Sequence, residues 1–328
     1  MRQNVIGSAI KAGARPPEKV TIAAADGFPL AGVKWLPASD HAPRAVVQLS
    51  HGMSEYAARY APFATACADA GVAVYGHDHR GHGGSVDEST PRGHYADRDG
   101  WAKVTVDVLT VNTFVKQQHP GVPVILFGHS MGSFIARRFL LDHASTLDGA
   151  ILSATGWRLG EGNRVLEQVA KREARKNGPR APSPRMHKLV FGSFNLRFRP
   201  ARTSFDWLSR DAEQVEAYLN DTLCGFDCSG QLWADLMGGC FAVERDENEP
   251  GRLSSTLPVL LVVGSHDPVS MGGFGHGQLG ERYAAAGNTN VTDLRYPGGR
   301  HELLNETNRA YVMRDLLDWV SRIAPAGK

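Results

Sequence analysis

The segment Gly128–Gly132, with the sequence GHSMG, constrains this chain more than any other feature. It follows the apolar run Val124–Phe127 directly and precedes Phe134–Leu141, a stretch of helical length. So sharp a turn between a strand and a helix strains the backbone of its central residue, and it is tolerated only where the residues two positions away are small. The two glycines meet this condition. A plain Gly-Ser turn is the alternative, but the flanking strand and helix favour an exposed, nucleophilic Ser130.

The rest of the chain supplies the strands and helices that such a turn needs. Short apolar runs alternate with longer stretches of helical length, which is the pattern of parallel strands joined by crossover helices. Asp26 and Gly27 indicate an opening hairpin. The alternation stops after Ala154, where a polar, Arg-rich segment begins, and resumes at Pro258. The predicted strands are Lys19–Ala25, Leu30–Leu36, Ala45–Ser50, Val72–Tyr75, Val122–Phe127, Ala150–Ser153, Pro258–Val263 and Val291–Tyr296.

We therefore predict an α/β fold in which a mostly parallel central sheet is flanked by helices and interrupted by an inserted, mainly helical cap. The predicted core comprises residues 1–155 and 251–328, and the predicted cap comprises residues 156–250. The length of 328 residues suits either one large domain with an insertion or two ordinary domains. The return of the strand pattern after the polar segment favours the insertion.

A serine hydroxyl needs a neighbouring base, and that base must be held in one tautomer. In enzymes with such a turn, an acid and then a histidine follow the serine along the chain, each beyond the carboxyl end of a strand. Asp267 follows one late predicted strand, and His301 follows the next across a Pro-Gly-Gly turn. We predict Ser130 as nucleophile, His301 as base and Asp267 as the residue that orients the base.

Two rival acids fit this pattern less well. Asp293 lies inside a predicted strand, and Asp246 lies in an acidic run, residues 244–249, that has the composition of a solvated surface. Among the thirteen histidines, His301 stands out by its order and context. His129, inside the turn itself, should point away from Ser130 and serve packing or hydrogen bonding.

Acyl transfer also needs donors for the oxyanion that forms when a carbonyl becomes tetrahedral. One donor is usually the backbone N–H of the residue after the nucleophile, here Met131, and the other comes from the loop after the third strand. That loop begins His51-Gly52, and we predict the backbone N–H of Met53 as the second donor.

Two groups of residues invite a metal interpretation. The first is a histidine-rich stretch, and the second is a set of three cysteines without a second close pair. A hydrogen-bonded turn and buried thiols are the simpler interpretations, because a serine hydrolase needs no metal. We predict neither a metal nor a cofactor. The two groups are His77, Asp78, His79 and His82, and Cys224, Cys228 and Cys240.

Charge is unevenly distributed. Residues 158–202 carry twelve Lys and Arg against three acidic residues, a local charge of +9, so that the rest of the chain carries −7 of the net +2. Either a cationic face draws the protein to anionic lipid surfaces, or a solvated helix face carries Arg172, Arg175 and Lys176. No aromatic-interleaved or helix-turn-helix pattern accompanies the charge, and no nucleic-acid partner is predicted. No apolar run approaches the length of a membrane span, and Met1–Lys11 lacks the apolar stretch of a secretory signal, which predicts a cytoplasmic protein.

These motifs together resemble the monoacylglycerol lipase and lysophospholipase branch of the α/β-hydrolases, in its bacterial type. The likeness runs through most of the core and reaches the closing part of the cap. It rests on the stretches 51–55, 79–85, 128–132, 264–269 and 297–306, and on Trp207–Asp211 followed by Tyr218, Asp221, Leu223 and Cys224. Met53 is bulkier than the small residue often found at that oxyanion position.

The resemblance implies a lid over the catalytic serine and substrates among single-chain lipids, short esters and occasionally peptides. We expect a serine ester hydrolase that forms an acyl-enzyme on a small-molecule lipid ester, such as monoacylglycerol or lysophospholipid. A peptidase or thioesterase with the same triad, or a non-catalytic ligand-binding relative, are the alternatives. The sequence leaves the acyl length, the head group and the oligomeric state open.

Overall fold

The computed structural model of the chain describes residues 16–38, 41–156 and 159–325. The stretch Met1–Lys11, whose composition contributes to the prediction of a cytoplasmic protein, and Arg158, at the start of the basic segment, lie outside the described residues. Within the described ranges, no helix is at once long enough and apolar enough to cross a bilayer. Cytoplasmic location stays a prediction.

Eight strands form one sheet in the order β1-β2-β4-β3-β5-β6-β7-β8. β2 runs antiparallel to both of its neighbours, and every other adjacent pair is parallel. The predicted α/β fold with a mostly parallel sheet is therefore confirmed, including the opening hairpin. The strands are β1 (Glu18–Ala23), β2 (Pro29–Trp35), β3 (Ala45–Ser50), β4 (Val72–His77), β5 (Val124–His129), β6 (Gly149–Ser153), β7 (Val259–Gly264) and β8 (Val291–Tyr296).

Helices cover both faces of the sheet, which explains why the five strands from β3 to β7 are fully buried and almost wholly apolar. The second, third and eighth helices share one apolar core with one face, and the first and ninth share another with the opposite face. The helices are α1 (Ala61–Asp69), α2 (Gly100–Gln118), α3 (Met131–His143), α4 (Glu161–Asn177), α5 (Pro184–Phe191), α6 (Ala212–Asn220), α7 (Gly230–Asp246), α8 (Phe274–Ala285) and α9 (Arg309–Ile323).

Four of these helices, α4 to α7, lie between β6 and β7, where the sequence predicts an insertion. α4 packs along α7, and α7 also contacts the core helices α2 and α3. Gly239 on α7 permits this contact, because a Cβ there would lie 2.1 Å from the indole of Trp101 on α2. The domain boundaries at residues 155 and 251 stay a prediction, and we call residues 156–250 the inserted segment.

Three of the four acids in the run at the end of α7 are buried, so the predicted solvated surface is wrong for Glu244, Asp246 and Glu247, whereas Glu249 is exposed. Glu247 forms a two-point ion pair with Arg137, with both N···O distances 2.7 Å. Glu244 accepts backbone N–H groups from residues 159 and 160 at the start of α4, and Asp246 pairs with Arg138 at 2.6 Å. A local run of acids looks solvated, but arginines distant in sequence compensate these charges inside the protein.

Candidate active site

Ser130 lies at the turn between β5 and α3, with φ +51° and ψ −120°. A positive φ is uncommon outside glycine, and such strain persists only where the surrounding structure enforces it. The backbone N–H of Ser130 donates to the carbonyl of Ser153 on β6, and the Ser133 hydroxyl donates to the Ser130 carbonyl. The predicted strained turn is thus present, and neighbours from both sides hold it.

The two glycines of the turn are required because neighbouring atoms leave no room for a side chain at either position. A Cβ at Gly128 would lie 2.7 to 2.8 Å from atoms in the first two turns of α3. A Cβ at Gly132 would lie 2.2 Å from the carbonyl oxygen of Ser50 and 2.4 Å from that of His51. Any larger residue at either position would push α3 away from β3 and its following loop.

Asp267 and His301 meet beyond the carboxyl ends of β7 and β8. His301 Nδ1 lies 2.9 Å from Asp267 Oδ1, and the side chains are 3% and 0% exposed. Asp267 Oδ1 also accepts the backbone N–H of Val269 at 3.0 Å. This geometry places the proton on Nδ1 of the neutral ring and leaves Nε2 as the basic nitrogen.

Ser130 and His301 line one small cavity, together with Met53. No hydrogen bond joins the Ser130 hydroxyl to the imidazole in this structure. Catalytic hydrogen bonds are often long or poorly aligned in ligand-free enzymes and tighten when substrate binds. The structure therefore brings the three predicted triad residues to one place, with one of the two expected hydrogen bonds formed.

The pKa of His301 lies above its ordinary value. Burial lowers the pKa, but the carboxylates of Asp267, Glu302 and Glu55 favour the imidazolium and outweigh burial. A raised pKa makes the ring a stronger base once it is neutral, and it stabilises the cation that forms when the ring accepts a proton.

The loop after β3 approaches the nucleophile closely. A Cβ at Gly52 would lie 3.4 Å from the Ser130 Cβ and 2.6 Å from Glu55 Oε1. Glu55 Oε1 accepts the backbone N–H of Gly52 at 2.6 Å. Both Met53 and Met131, the predicted oxyanion donors, line the cavity that contains Ser130.

His51 fixes the peptide that carries the Met53 N–H. The backbone N–H of His79 donates to His51 Nε2 at 2.9 Å, so the proton of the neutral ring is on Nδ1. Nδ1 then donates to the Gly52 carbonyl at 2.8 Å, and that carbonyl belongs to the same peptide plane as the Met53 N–H. Burial and the nearby His82 keep the pKa of His51 well below its ordinary value, and the ring stays neutral.

The neighbouring histidine-rich stretch forms hydrogen-bonded turns. Asp78 accepts backbone N–H groups from Ala57 and Gly84, each at 2.8 Å. His79 Nε2 lies 3.0 Å from the Ser50 hydroxyl, which in turn donates to the Gly132 carbonyl. The stretch therefore ties the loop after β3 to the start of α3.

An ion-pair network beside the site escaped the sequence reasoning. Arg59 binds Glu55 and Glu302, and its guanidinium lies 4.8 Å from the ring centre of Tyr218 in the inserted segment. Burial raises the pKa of Glu302, but Arg59 outweighs burial and lowers it to about 2. Arg59 and Glu302 are 243 positions apart, so no local pattern could have linked them.

The inserted segment also contacts the histidine loop directly. The Trp207 ring centre lies 5.0 Å from that of His301, and the Trp207 carbonyl accepts the His301 backbone N–H. Arg210 binds Glu306 at 2.8 Å, and the Ser209 hydroxyl donates to a backbone carbonyl of the same loop. The loop that carries the candidate base is thus held from the core and from the inserted segment.

Two cavities of different character meet at Ser130. The larger has a volume of about 610 Å³ and runs between the inserted segment and the loop after β7. Its walls are mostly apolar, with Phe134, Leu166, Trp233 and Met237 among the side chains. The smaller has a volume of about 30 Å³, and carboxylate, imidazole and phenol groups are among its walls.

The cysteines are buried free thiols. Burial raises the pKa of Cys228 to about 12 and holds those of Cys67, Cys224 and Cys240 well above the ordinary thiol value. Cys240 lines the larger cavity, where it packs as a small apolar group.

Comparison with known proteins identifies the family of this chain. The family profile described as serine aminopeptidase, S33, matches residues 41–308. The chain belongs to the S33 family of α/β-hydrolases. The monoacylglycerol lipase of Mycolicibacterium smegmatis, which is similar in sequence, is 30% identical over 87% of this chain and 90% of its own length.

Solved structures agree with this S33 assignment. A lipase described in its open form is 26% identical and has a TM-score of 0.81, over 95% of this chain and 100% of that one. A thermostable carboxyl esterase from Bacillus coagulans has a TM-score of 0.85 at 24% identity, over 94% and 99% of the two chains, and shows the shared fold.

The S33 assignment confirms the α/β-hydrolase fold and the likeness to monoacylglycerol lipases that the sequence predicts. The individual roles of Ser130, Asp267 and His301, and those of the Met53 and Met131 amides, stay predictions. Ser130 and Met53 line both cavities, Met131 lines the larger one and His301 the smaller one, and Asp267 is hydrogen-bonded to His301.

Proposed function

We propose that this chain is a serine carboxylic ester hydrolase that acts on monoacylglycerol or similar single-chain esters. The observation that carries the proposal is the position of Ser130, which lies at a strained turn and opens into an apolar cavity of about 610 Å³. A cavity of this size is in the range of ligand pockets, and its apolar walls suit an acyl chain. The likeness to a lipase over most of both chains supports the same substrate class.

In the proposed reaction, His301 Nε2 accepts the Ser130 proton as the hydroxyl attacks the ester carbonyl. The backbone N–H groups of Met53 and Met131 stabilise the oxyanion, and each such donor commonly contributes about 10²- to 10³-fold in rate. Asp267 holds the ring and stabilises the imidazolium without taking the proton.

The alcohol then leaves with the proton from His301, and Ser130 remains acylated. Water, deprotonated by the same ring, attacks the acyl-enzyme, and the ring returns that proton to Ser130 Oγ as the fatty acid leaves. Each bond broken at the carbonyl carbon is matched by one formed to oxygen, so the cycle needs neither a cofactor nor a redox partner.

Peptidase activity, which the description of the family names, is the main alternative. An aminopeptidase needs an anionic group for the free ammonium of its substrate. The two carboxylates that line the smaller cavity, Glu55 and Glu302, are both bound to Arg59. Because Arg59 compensates the charge of these carboxylates, the cavity favours an uncharged ester over the ammonium group of a peptide. A thioesterase, the other alternative, would differ from the proposed enzyme only in the leaving group of its substrate.

We further propose that the inserted segment is a lid that binds transiently to lipid surfaces. Exposed apolar side chains stand among its basic residues, with Val165 64% exposed. Such a mixture suits transient binding to anionic bilayers. Binding to anionic vesicles that weakens with salt and with Val165→Asp is expected, whereas equal binding to neutral vesicles would contradict it. Within residues 159–202, the basic stretch, the exposed large apolar residues are Leu159, Val165, Leu189 and Leu196.

Hydrolysis of a chain-length series tests the proposed activity. p-Nitrophenyl esters, monoacylglycerols and lysophospholipids are compared for the wild type, Ser130→Ala and Ser321→Ala. Ser321 lies on α9, and its hydroxyl bonds only to the helix carbonyl of Leu317, so its variant serves as the control. Loss of monoacylglycerol hydrolysis in Ser130→Ala alone is expected. Turnover of peptides or thioesters but of no oxygen ester would contradict the proposal.

A further inference from the structure

A second His–Asp pair stands in the inserted segment, outside the candidate triad. His187 on α5 has its Nδ1 at 3.1 Å from Asp227 Oδ1. Phe191 and Phe205 meet the imidazole edge to face, with ring centres at 5.0 and 6.4 Å. A close contact with a carboxylate on one side and two aromatic rings on the others surround the imidazole.

The other nitrogen of this ring is available. His187 lines the small cavity that contains Ser130 and His301. Within residues 16–38, 41–156 and 159–325, His187 Nε2 has no hydrogen-bond partner. The Asp227 carboxylate beside Nδ1 favours the tautomer with its proton on that nitrogen, and Nε2 of the neutral ring is then a hydrogen-bond acceptor.

Several other polar groups in this cavity already have partners. Glu55 accepts from the Gly52 N–H, Tyr60 and Arg59, and Glu302 accepts from Arg59 and Asn305. The Tyr218 hydroxyl donates to the Ser54 carbonyl and accepts the Gly225 N–H. A polar group of a substrate that enters here would thus find these side chains engaged and the His187 nitrogen open.

The two cavities divide the substrate between them. Ser130 and Met53 line both, so an ester carbonyl at Ser130 has one substituent in each. The acyl chain suits the apolar cavity of about 610 Å³, which leaves the alcohol to the smaller cavity of about 30 Å³, the more polar of the two. A space of this size holds a group of a few heavy atoms and is too small for a bulky head group.

We propose that His187 is a specificity-determining residue that binds the alcohol part of the substrate, its Nε2 accepting a free hydroxyl of a small polyol ester such as monoacylglycerol. Asp227 is the positioning residue that fixes the ring. This inference rests on the proposed ester hydrolase function and names the part of the substrate that the inserted segment selects.

The test compares two esters of one fatty acid, decanoylglycerol and n-propyl decanoate. Both give the same acyl-enzyme, and they differ in the free hydroxyls of the alcohol. We expect His187→Leu to lower kcat/KM for the glycerol ester about five- to tenfold, the loss of one hydrogen bond, with the propyl ester within about twofold of the wild type. His187→Gln, which retains an acceptor, should restore most of the difference.

Two further variants provide a control and an alternative test. Lys188→Leu removes an exposed polar side chain from the same helix without touching the cavity, and its ratio of the two rates should equal that of the wild type. Asp227→Asn should lower the ratio by less than His187→Leu, and it provides the test if His187→Leu does not fold.

The outcomes separate the two claims. An unchanged ratio in His187→Leu, or an equal loss for both esters, would overturn the role of His187 while the ester hydrolase function stands. A wild type that hydrolyses neither ester would overturn the proposed function and this inference with it.

Discussion

Arg59 and Glu302 form a two-point ion pair, with both N···O distances 2.9 Å, directly beside His301 in the chain. The pair holds the Glu302 carboxylate next to the candidate base. The negative charge of this carboxylate contributes to the raised pKa of His301. Together with the larger effect of Asp267, this long-range pair helps to set the pH range in which the base is neutral.

Glu302→Gln should shift the acid limb of the pH profile of kcat/KM to lower pH. The base acts when neutral, so activity falls as the pH drops below the His301 pKa. Removal of the negative charge of Glu302 lowers that pKa, and the half-maximal point moves down with it. Asp293→Asn, on the exposed side of β8, should leave the profile unchanged. A shift to higher pH in Glu302→Gln would contradict the electrostatic account.

Asp267→Asn should reduce kcat by about 10⁴-fold with little effect on the folded state. An amide in place of the carboxylate no longer stabilises the imidazolium and favours the wrong tautomer, as in other Ser-His-Asp enzymes. Steady-state kinetics and thermal unfolding are measured side by side, with Asp293→Asn as the matched control. If the two variants retained equal activity, Asp267 would not be the acid of the triad.

Gly132→Ala should destabilise the protein by about 2–3 kcal/mol, because its Cβ would lie 2.2 Å from the Ser50 carbonyl oxygen. Gly162→Ala is the control, since the nearest atom to its Cβ is 3.5 Å away, and alanine favours a helix over glycine. Urea unfolding gives both free energies. Equal urea midpoints for the two variants would contradict the prediction that the Ser50 carbonyl leaves no room for a Cβ at residue 132.

Leu166→Trp should shorten the acyl preference. Leu166 lines the larger cavity, and a bulkier side chain there would displace the far end of a long chain. Each excluded methylene costs about 0.8 kcal/mol of binding. The ratio of dodecanoate to butyrate turnover should fall at least about tenfold, whereas Leu219→Trp, on α6 outside the cavity, should leave it as in the wild type. An unchanged ratio in Leu166→Trp would place the acyl chain elsewhere.

The features that depend on local sequence patterns could be predicted from the sequence. The eight strands appear close to their predicted bounds, and Asp267 and His301 meet as their order after Ser130 indicated. These features follow from the apolar period, from glycines at a strained turn and from the rule that parallel strands end at one edge.

What the sequence missed depends on contacts between distant segments. The acidic end of α7 has the composition of a surface, and contacts from distant segments, such as those of Arg137 with Glu247 and of Arg138 with Asp246, make burial possible. The contact of Trp207 with His301 and the pairing of His187 with Asp227 arise from the way the inserted segment lies over the sheet edge. No periodicity or motif encodes that placement.

Covalent labelling of Ser130 tests the central claim most directly. The wild type and Ser130→Ala are treated with an alkyl fluorophosphonate, digested and examined by mass spectrometry, while monoacylglycerol hydrolysis is followed in parallel. The account predicts one adduct per chain, on Ser130, and activity that falls in step with labelling, with neither adduct nor activity in Ser130→Ala. An adduct on another residue, or hydrolysis that persists in Ser130→Ala, would contradict it.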